Sequence, residues 1–284
     1  MNIIFMGRKS YAAEMLEWTV GQGICVKAVC TDSQYANSPT MLRAQHLGIP
    51  VISMEESEQY VEEHPGEIDL IVSYLYWRKI RKPLIEGPRY GCINFHPAIL
   101  PDWRGCGGYN IAILNKLQEW GATAHYIDEK IDMGSVIRVF KFSFDYRMET
   151  AYSLEKKTQR LQMDLYKSVI IDVMEKGRLE CTAQQKESGI YISKKQMLKM
   201  MEIDLNNLED EDLDTKIRAF WFPPYSGAGF KYNDKFYTII NDDILKTLQD
   251  GNSTALVNKE TNQCGGVKRY HRQLAYIYAE CRAA

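Results

Sequence analysis

The chain has 284 residues, of which 45% are hydrophobic, enough to bury one large core or two modest ones. Its 35 basic side chains stand against 37 acidic ones, and the net charge of -2 excludes a global field that would draw in a polyanion, although a local basic patch remains open. Seven cysteines without a Cys-x-x-Cys pair argue against a disulfide framework and a zinc site and fit a reducing cytoplasm.

The first residues lack the basic region and apolar run of a secretion leader, and no later stretch approaches the length of a bilayer span, so a soluble cytoplasmic protein is expected. Asn2 to Gly7 reads as a buried strand, and from Tyr11 the apolar residues take helical spacing. Val26 to Asp32 reads as the next strand, Ala44 to Pro50 as a helix end, Val51 to Met54 as a short strand and Ile68 to Tyr76 as a longer one. Behind Gly107 and Gly108 a helix is expected from Tyr109, followed by a strand at Ala122 to Ile127 and another from Val136 to Phe140. Thr150 to Gly177 spaces Leu154, Leu161, Leu165, Val169 and Val173 as one stripe of a long amphipathic helix. Strands alternating with helices imply right-handed crossovers and an α/β, doubly wound, mostly parallel Rossmann-like sheet.

A polar stretch between Gly189 and Asp214 suggests a boundary, giving residues 1–200 as a main domain and 201–284 as a small, β-rich carboxyl-terminal one. The run Glu209 to Asp214 reads as a solvated helix start. Asn233-Asp234, between Phe230-Lys-Tyr and Lys-Phe-Tyr-Thr-Ile, reads as a hairpin turn.

The informative stretch is Cys92-Ile-Asn-Phe-His-Pro, which begins as a buried strand and places Asn94 and His96 on one face before Pro97 ends it. Alone, the pair is more often a satisfied core hydrogen-bonder than a catalyst. At the carboxyl end of a strand in an open parallel sheet, however, it faces the crevice where such folds bind ligands. Ile131-Asp-Met-Gly then supplies a carboxylate, Asp132, between two later strands.

These residues also carry a resemblance. Asn94-Phe-His-Pro-Ala-Ile-Leu-Pro-x-x-Arg-Gly, Ala122-Thr-Ala-His-Tyr and Asp128-Glu-Lys-Ile-Asp-Met-Gly resemble, in order, the signature of the formyltetrahydrofolate-dependent formyltransferases, and the likeness spans roughly residues 1 to 240. The resemblance implies that Asn94, His96 and Asp132 are catalytic, that 10-formyltetrahydrofolate is the formyl donor, and that no metal is needed. Physically, an amine attacking a formyl carbon develops an oxyanion, and one fixed donor aimed at it is worth roughly 3 to 4 kcal/mol. Asn94 and His96 N–H groups can supply such donors. Asp132 would hold the imidazole and favour its protonated form, and it, or a water it holds, can take the amine proton. Which group takes that proton first stays open.

The resemblance places the donor's pterin between two segments, Leu75, Tyr76, Trp77, Arg78 and Ile80 on one side and Ile127, Asp128 and Glu129 on the other, read largely by backbone. Core packing is the alternative for Tyr76 and Trp77. Arg104, followed by Gly105, either contacts substrate phosphate or braces the loop through backbone carbonyls. The Met6 to Tyr11 turn is no Gly-x-Gly-x-x-Gly, so no dinucleotide cofactor is expected. Arg8, Lys9 and Ser10 at a helix amino terminus suit an acceptor phosphate, or are simply solvated surface charges.

Phe222 and Tyr225, in Phe-Trp-Phe-Pro-Pro-Tyr, resemble the sugar nucleotide N-formyltransferases and can either face a nucleotide base or staple the domains. The resemblance also implies a homodimer. The extra charges Lys268, Arg269 and Arg272 are too few to favour a tRNA partner. The expected activity is therefore formyl transfer to the amine of a nucleotide-linked amino sugar for a surface polysaccharide, without nucleic acid or membrane partners. Methionyl-tRNA formyltransferase, a non-catalytic nucleotide-sugar binding module and water-driven hydrolysis of the donor are the alternatives.

Overall fold

A computed structural model describes residues 1–31, 37–185, 189–208 and 212–249. The expected helix start at Glu209 lies partly outside these residues, and Lys268, Arg269 and Arg272 lie wholly outside them.

The chain opens with strand β1 (Asn2–Gly7), helix α1 (Lys9–Gly21), strand β2 (Cys25–Cys30) and helix α2 (Pro39–His46). Helix α3 (Met54–Glu63) follows; Ser53 and Glu56 close a reciprocal capping box at its start, an arrangement typically worth about 1 kcal/mol. That cap overrides the strand expected at Val51 to Met54, of which only a single bridge, Val51 to Val29, forms. Strand β3 (Leu70–Tyr74), helix α4 (Lys82–Glu86), strand β4 (Cys92–His96), the short strand β5 (Trp103–Gly105) and helix α5 (Gly108–Leu114) come next. Two long strands, β6 (Glu119–Tyr126) and β7 (Val136–Ser143), precede helix α6 (Ala151–Lys176), which matches the expected stripe almost end to end.

The main sheet has the order β2-β1-β3-β4-β6-β7. Its first three pairings are parallel, and β6 turns antiparallel to both β4 and β7. Alternation along each strand sorts the core into two layers. Ile3, Phe5, Val72, Ile93, Phe95 and Ala124 meet Leu16 of α1 and Leu165, Tyr166 and Val169 of α6 on one face. Ile4, Met6, Ile71 and Cys92 meet Met54 and Val61 of α3 and Leu84 of α4 on the other. Helices on both faces make the sheet doubly wound, as the alternating pattern predicts.

The chain separates into two compact units. One holds Met1–Gly108, Glu119–Ser143 and Lys157–Ile192, and therefore the whole main sheet. It also contains strand β8 (Ile190–Ile192), parallel to β5. The other takes Tyr109–Gln118, Phe144–Lys156 and the described residues from Ser193. It carries helix α7 (Lys194–Met200), helix α8 (Leu213–Phe220), strands β9 (Gly229–Tyr232) and β10 (Lys235–Thr238), and helix α9 (Asp242–Gln249). The expected hairpin forms at Asn233-Asp234, where both residues take positive φ, 46° and 60°, as a two-residue turn between twisted strands requires. Beyond residue 200, that hairpin is the β element among the described residues, with two helices beside it.

Among the described residues no helix is long and apolar enough to cross a membrane, and no group of three or more His, Cys, Asp or Glu side chains is arranged to hold a metal ion.

Candidate active site

The site grows from one row of residues in register across three strands: Ser73 pairs with Asn94, and Asn94 with His125. Their neighbours Val72, Ile93 and Ala124 point into the α6 layer, so these three side chains share the opposite face. Ser73 donates its hydroxyl to Oδ1 of Asn94 at 2.8 Å, and Nδ2 of Asn94 lies 3.0 Å from Nε2 of His125. On the far side of the ring, Nδ1 of His125 is 2.7 Å from the carbonyl of Tyr126. A carbonyl only accepts, so Nδ1 carries the proton and Nε2 is the acceptor for Asn94. Burial pushes His125 down to about 4, against the opposing pull of Asp132, and keeps this tautomer neutral at ordinary pH. The amide of Asn94 is thereby held at both ends, with one N–H left to donate.

His96 sits two residues further along β4. Its Nε2 is 3.0 Å from the Trp103 carbonyl and its Nδ1 is 3.5 Å from Oδ1 of Asp132. The sequence suggests that a His96 N–H is free to meet an oxyanion; here Nε2–H is engaged by the first residue of β5. The His96 and Asp132 side chains keep 10% and 11% exposure, whereas His125 keeps 2%, so the first two reach the surface of the site and the third supports it from beneath. Thr123, paired with His96, holds the following loop by donating to the Ala98 carbonyl at 2.7 Å and accepting the Leu100 N–H at 3.0 Å.

Asp132 lies in the left-handed region at φ 55°, and its Oδ2 accepts the Gly105 N–H at 2.9 Å. Gly105 itself has φ 84°, and a Cβ there would stand 2.4 Å from the Ile192 carbonyl, so only glycine brings that N–H to the carboxylate. Arg104 donates to the Gly189 carbonyl at 3.2 Å and touches the sulfur of Met133. These contacts are the ones that the loop-brace reading asks for, and they leave the phosphate reading open.

The two segments expected to line the donor come together. Tyr76 and Ile127 pack against the cluster that contains Ile80, and Lys82 pairs with Glu129 at 3.2 Å. Tyr76 turns inward, its hydroxyl 3.1 Å from Sγ of Cys30, and burial raises both groups. Trp77 is half exposed, Arg78 is paired with Glu55, and Asp128 caps the Glu129 N–H. Leu75 takes φ 58° and offers its carbonyl to Nε of Arg8 at 2.9 Å.

Arg8 thus reaches the segment that opens at Leu75, while Lys9 and Ser10 begin α1. The Lys9 carbonyl accepts from Thr40 at 3.0 Å. Phe222 and Tyr225 belong to the second unit, where their rings sit 6.0 Å apart and Phe222 also meets Tyr152 edge-on at 6.0 Å. Sequence reasoning assigned no role to His125, although a histidine alternating with Thr123 in an otherwise apolar strand was the available signal. Gln184, which donates to the carbonyls of Asp132 and Gly134, carried no such signal.

Residues 1–170, more than half the chain, match the Formyl transferase family. The chain belongs to that family. A methionyl-tRNA formyltransferase from Bacillus cytotoxicus is 28% identical over 202 residues, 67% of this chain and 64% of the relative. The chain spans less than two thirds of the length of the curated relatives it matches first. Among solved structures, the 4-N formyltransferase from Francisella tularensis superposes with a TM-score of 0.70 at 22% identity, over 84% of this chain and 96% of that one. The N-formyltransferase from Helicobacter canadensis, in complex with folinic acid and dTDP-3-aminofucose, gives 0.65 at 22% identity, over 82% and 84%. The formyl transferase fold thus continues beyond the family match, across both units.

Proposed function

We propose that the protein transfers a formyl group from 10-formyltetrahydrofolate to the amine of a nucleotide-linked amino sugar. The observation that carries this reading is that His96 lies 3.5 Å from Asp132 while His125 lies 3.0 Å from Asn94 and 3.8 Å from Asp132, which gathers the three side chains in a chain of the formyl transferase family. When bound, the donor supplies a formyl carbonyl as electrophile. Its proposed seat suits it because Tyr76, Ile80 and Ile127, drawn from the two segments, share one apolar cluster, and Leu75 and Ile127 directly follow the strands that carry Ser73 and His125.

The free N–H of Asn94 is fixed in direction by Ser73 and His125, as a donor to a developing negative oxygen must be. His96 adds positive charge when protonated between Asp132 and the Trp103 carbonyl, and releasing the latter frees Nε2–H to donate. The Asp132 carboxylate is the nearby group able to hold the proton the attacking amine loses.

Two features favour a sugar nucleotide. The Phe222-Pro-Pro-Tyr225 segment resembles that group, and structures named as sugar N-formyltransferases align over more than four fifths of the chain. The 28% identity to a methionyl-tRNA formyltransferase over 67% of the chain supports initiator tRNA as the second reading. Mixing the full chain with labelled formyl donor and either charged initiator tRNA or amino sugars linked to dTDP, UDP and GDP separates the two. Transfer to an amino sugar is expected; transfer to tRNA alone overturns the acceptor, and formate release without any acceptor overturns transfer.

A further inference from the structure

Asp132 is held from outside its own loop, by the chain that follows α6 and lies beyond the residues matched by the family. Thr182 makes a two-bond bridge with Val136, each bond 2.8 Å, and this brings Gln184 alongside the turn that carries the carboxylate. Gln184 Nε2 then donates to the Asp132 carbonyl at 3.0 Å and to the Gly134 carbonyl at 2.6 Å. Further on, β8 pairs with β5, with Ile190 donating to the Asp102 carbonyl and Cys106 to the Ile192 carbonyl, both at 2.8 Å. That second pairing fixes the Gly105 N–H which the Asp132 carboxylate accepts. One stretch of chain after the long helix therefore sets both the backbone of Asp132 and the partner of its side chain.

We propose that Gln184 is a positioning residue for Asp132. A non-glycine residue at φ 55° is in a sparsely populated region and stays there only where its surroundings over-determine it. The carbonyls of 132 and 134 both converge on one point, and each needs a donor when drawn away from water. A primary amide supplies two N–H donors from a single nitrogen, so one glutamine closes both. Released, the turn is free to relax, and Oδ1 moves off the line to His96. A displacement of about 1 Å in such a group costs roughly a hundredfold in rate.

This inference rests on the formyl-transfer reading for its kinetic part and on the structure alone for the rest. The test compares wild type with Gln184→Met, which keeps length without donors, and with Gln184→Glu, which replaces donors by acceptors. In the ligand-free full chain, hydrogen exchange at the Met133 and Val136 amides should quicken about tenfold in either variant, while the main sheet is unchanged. Unchanged exchange at the turn overturns the brace, whether or not the protein proves to be a formyltransferase. With dTDP-3-aminofucose, or the acceptor the panel above yields, kcat should fall about tenfold or more with both KM values within about twofold. In an Asp132→Asn background the same substitutions should cost less than about twofold, since a residue acting through Asp132 has nothing left to position. Equal losses in both backgrounds, a rise in KM alone, or failure of both variants to fold would make Gln184 a stability residue and end the proposal.

Discussion

Gly105 donates its backbone N–H to Oδ2 of Asp132, and this bond decides that Oδ1 is the oxygen facing His96. An asparagine at 132 still offers one oxygen to Gly105, so the turn survives while the charge beside His96 is lost. Asp132→Asn should lower kcat by about two to four orders of magnitude, the range for loss of a positioned acid or base. Its melting temperature should stay near wild type. A rate within tenfold of wild type would remove the carboxylate from the chemistry.

His125 gives the site an acid limit. Burial depresses it to about 4, below the ordinary imidazole value of about 6.5, so the folded state resists protonation while the unfolded chain accepts it. The unfolded state then binds more protons between these values, and stability present above pH 6.5 is lost as pH falls toward 4. At about 1.4 kcal/mol per unit of depression, the loss is on the order of 3 kcal/mol. Urea melts of wild type and His125→Gln at pH 7.5 and pH 5 isolate this contribution, because the remaining groups cancel in the difference. Wild type should lose more stability than the variant; equal losses would mean that His125 titrates normally in the folded protein.

Gly134 sits where the Asp132 loop turns into β7, with no room for a side chain. A Cβ there would stand 1.8 Å from the Tyr126 carbonyl. Gly134→Ala must move backbone, and forced overpacking of this kind costs about 1–3 kcal/mol. The same shift carries Asp132 with it, so kcat should fall as stability does. An alanine variant with wild-type melting and wild-type turnover would show that the loop is free to yield.

The fold was legible because each layer obeys its own period. Continuous apolar runs at β1 and β3, set between helical patterns, and the stripe of α6 announce a two-faced sheet, and alternation in β4 puts Asn94 and His96 on one face. Val51 to Met54 misled because an apolar run does not reveal that Ser53 caps a helix. What could not be read is pairing between distant segments. That Ser73, Asn94 and His125 fall in one row depends on register across three strands, and register is set by the whole sheet. Gln184 is further still from legibility, as an isolated glutamine becomes informative only when two carbonyls are seen to converge on it.

Arg8 separates two accounts of the same side chain. The turn it occupies, at the amino end of α1, suits a phosphate of the acceptor, yet its Nε is committed to the Leu75 carbonyl, 2.9 Å away. Leu75 takes φ 58°, and it opens the segment proposed to line the donor. If the bond to Leu75 is what matters, removing the guanidinium lets that segment relax, and the KM for 10-formyltetrahydrofolate should rise about tenfold, the cost of a hydrogen bond from a charged donor. If a phosphate is what matters, the KM for the acceptor should rise instead. The guanidinium has five N–H donors, so both can change, and a lysine variant then divides them. Lysine restores positive charge near the turn but not the planar Nε–H directed at Leu75. Steady-state kinetics of Arg8→Ala and Arg8→Lys with each substrate varied in turn provide the measurement. We expect both variants to show the donor effect and only the alanine variant to show a marked acceptor effect; an unchanged donor KM in Arg8→Ala would reduce the Leu75 contact to packing.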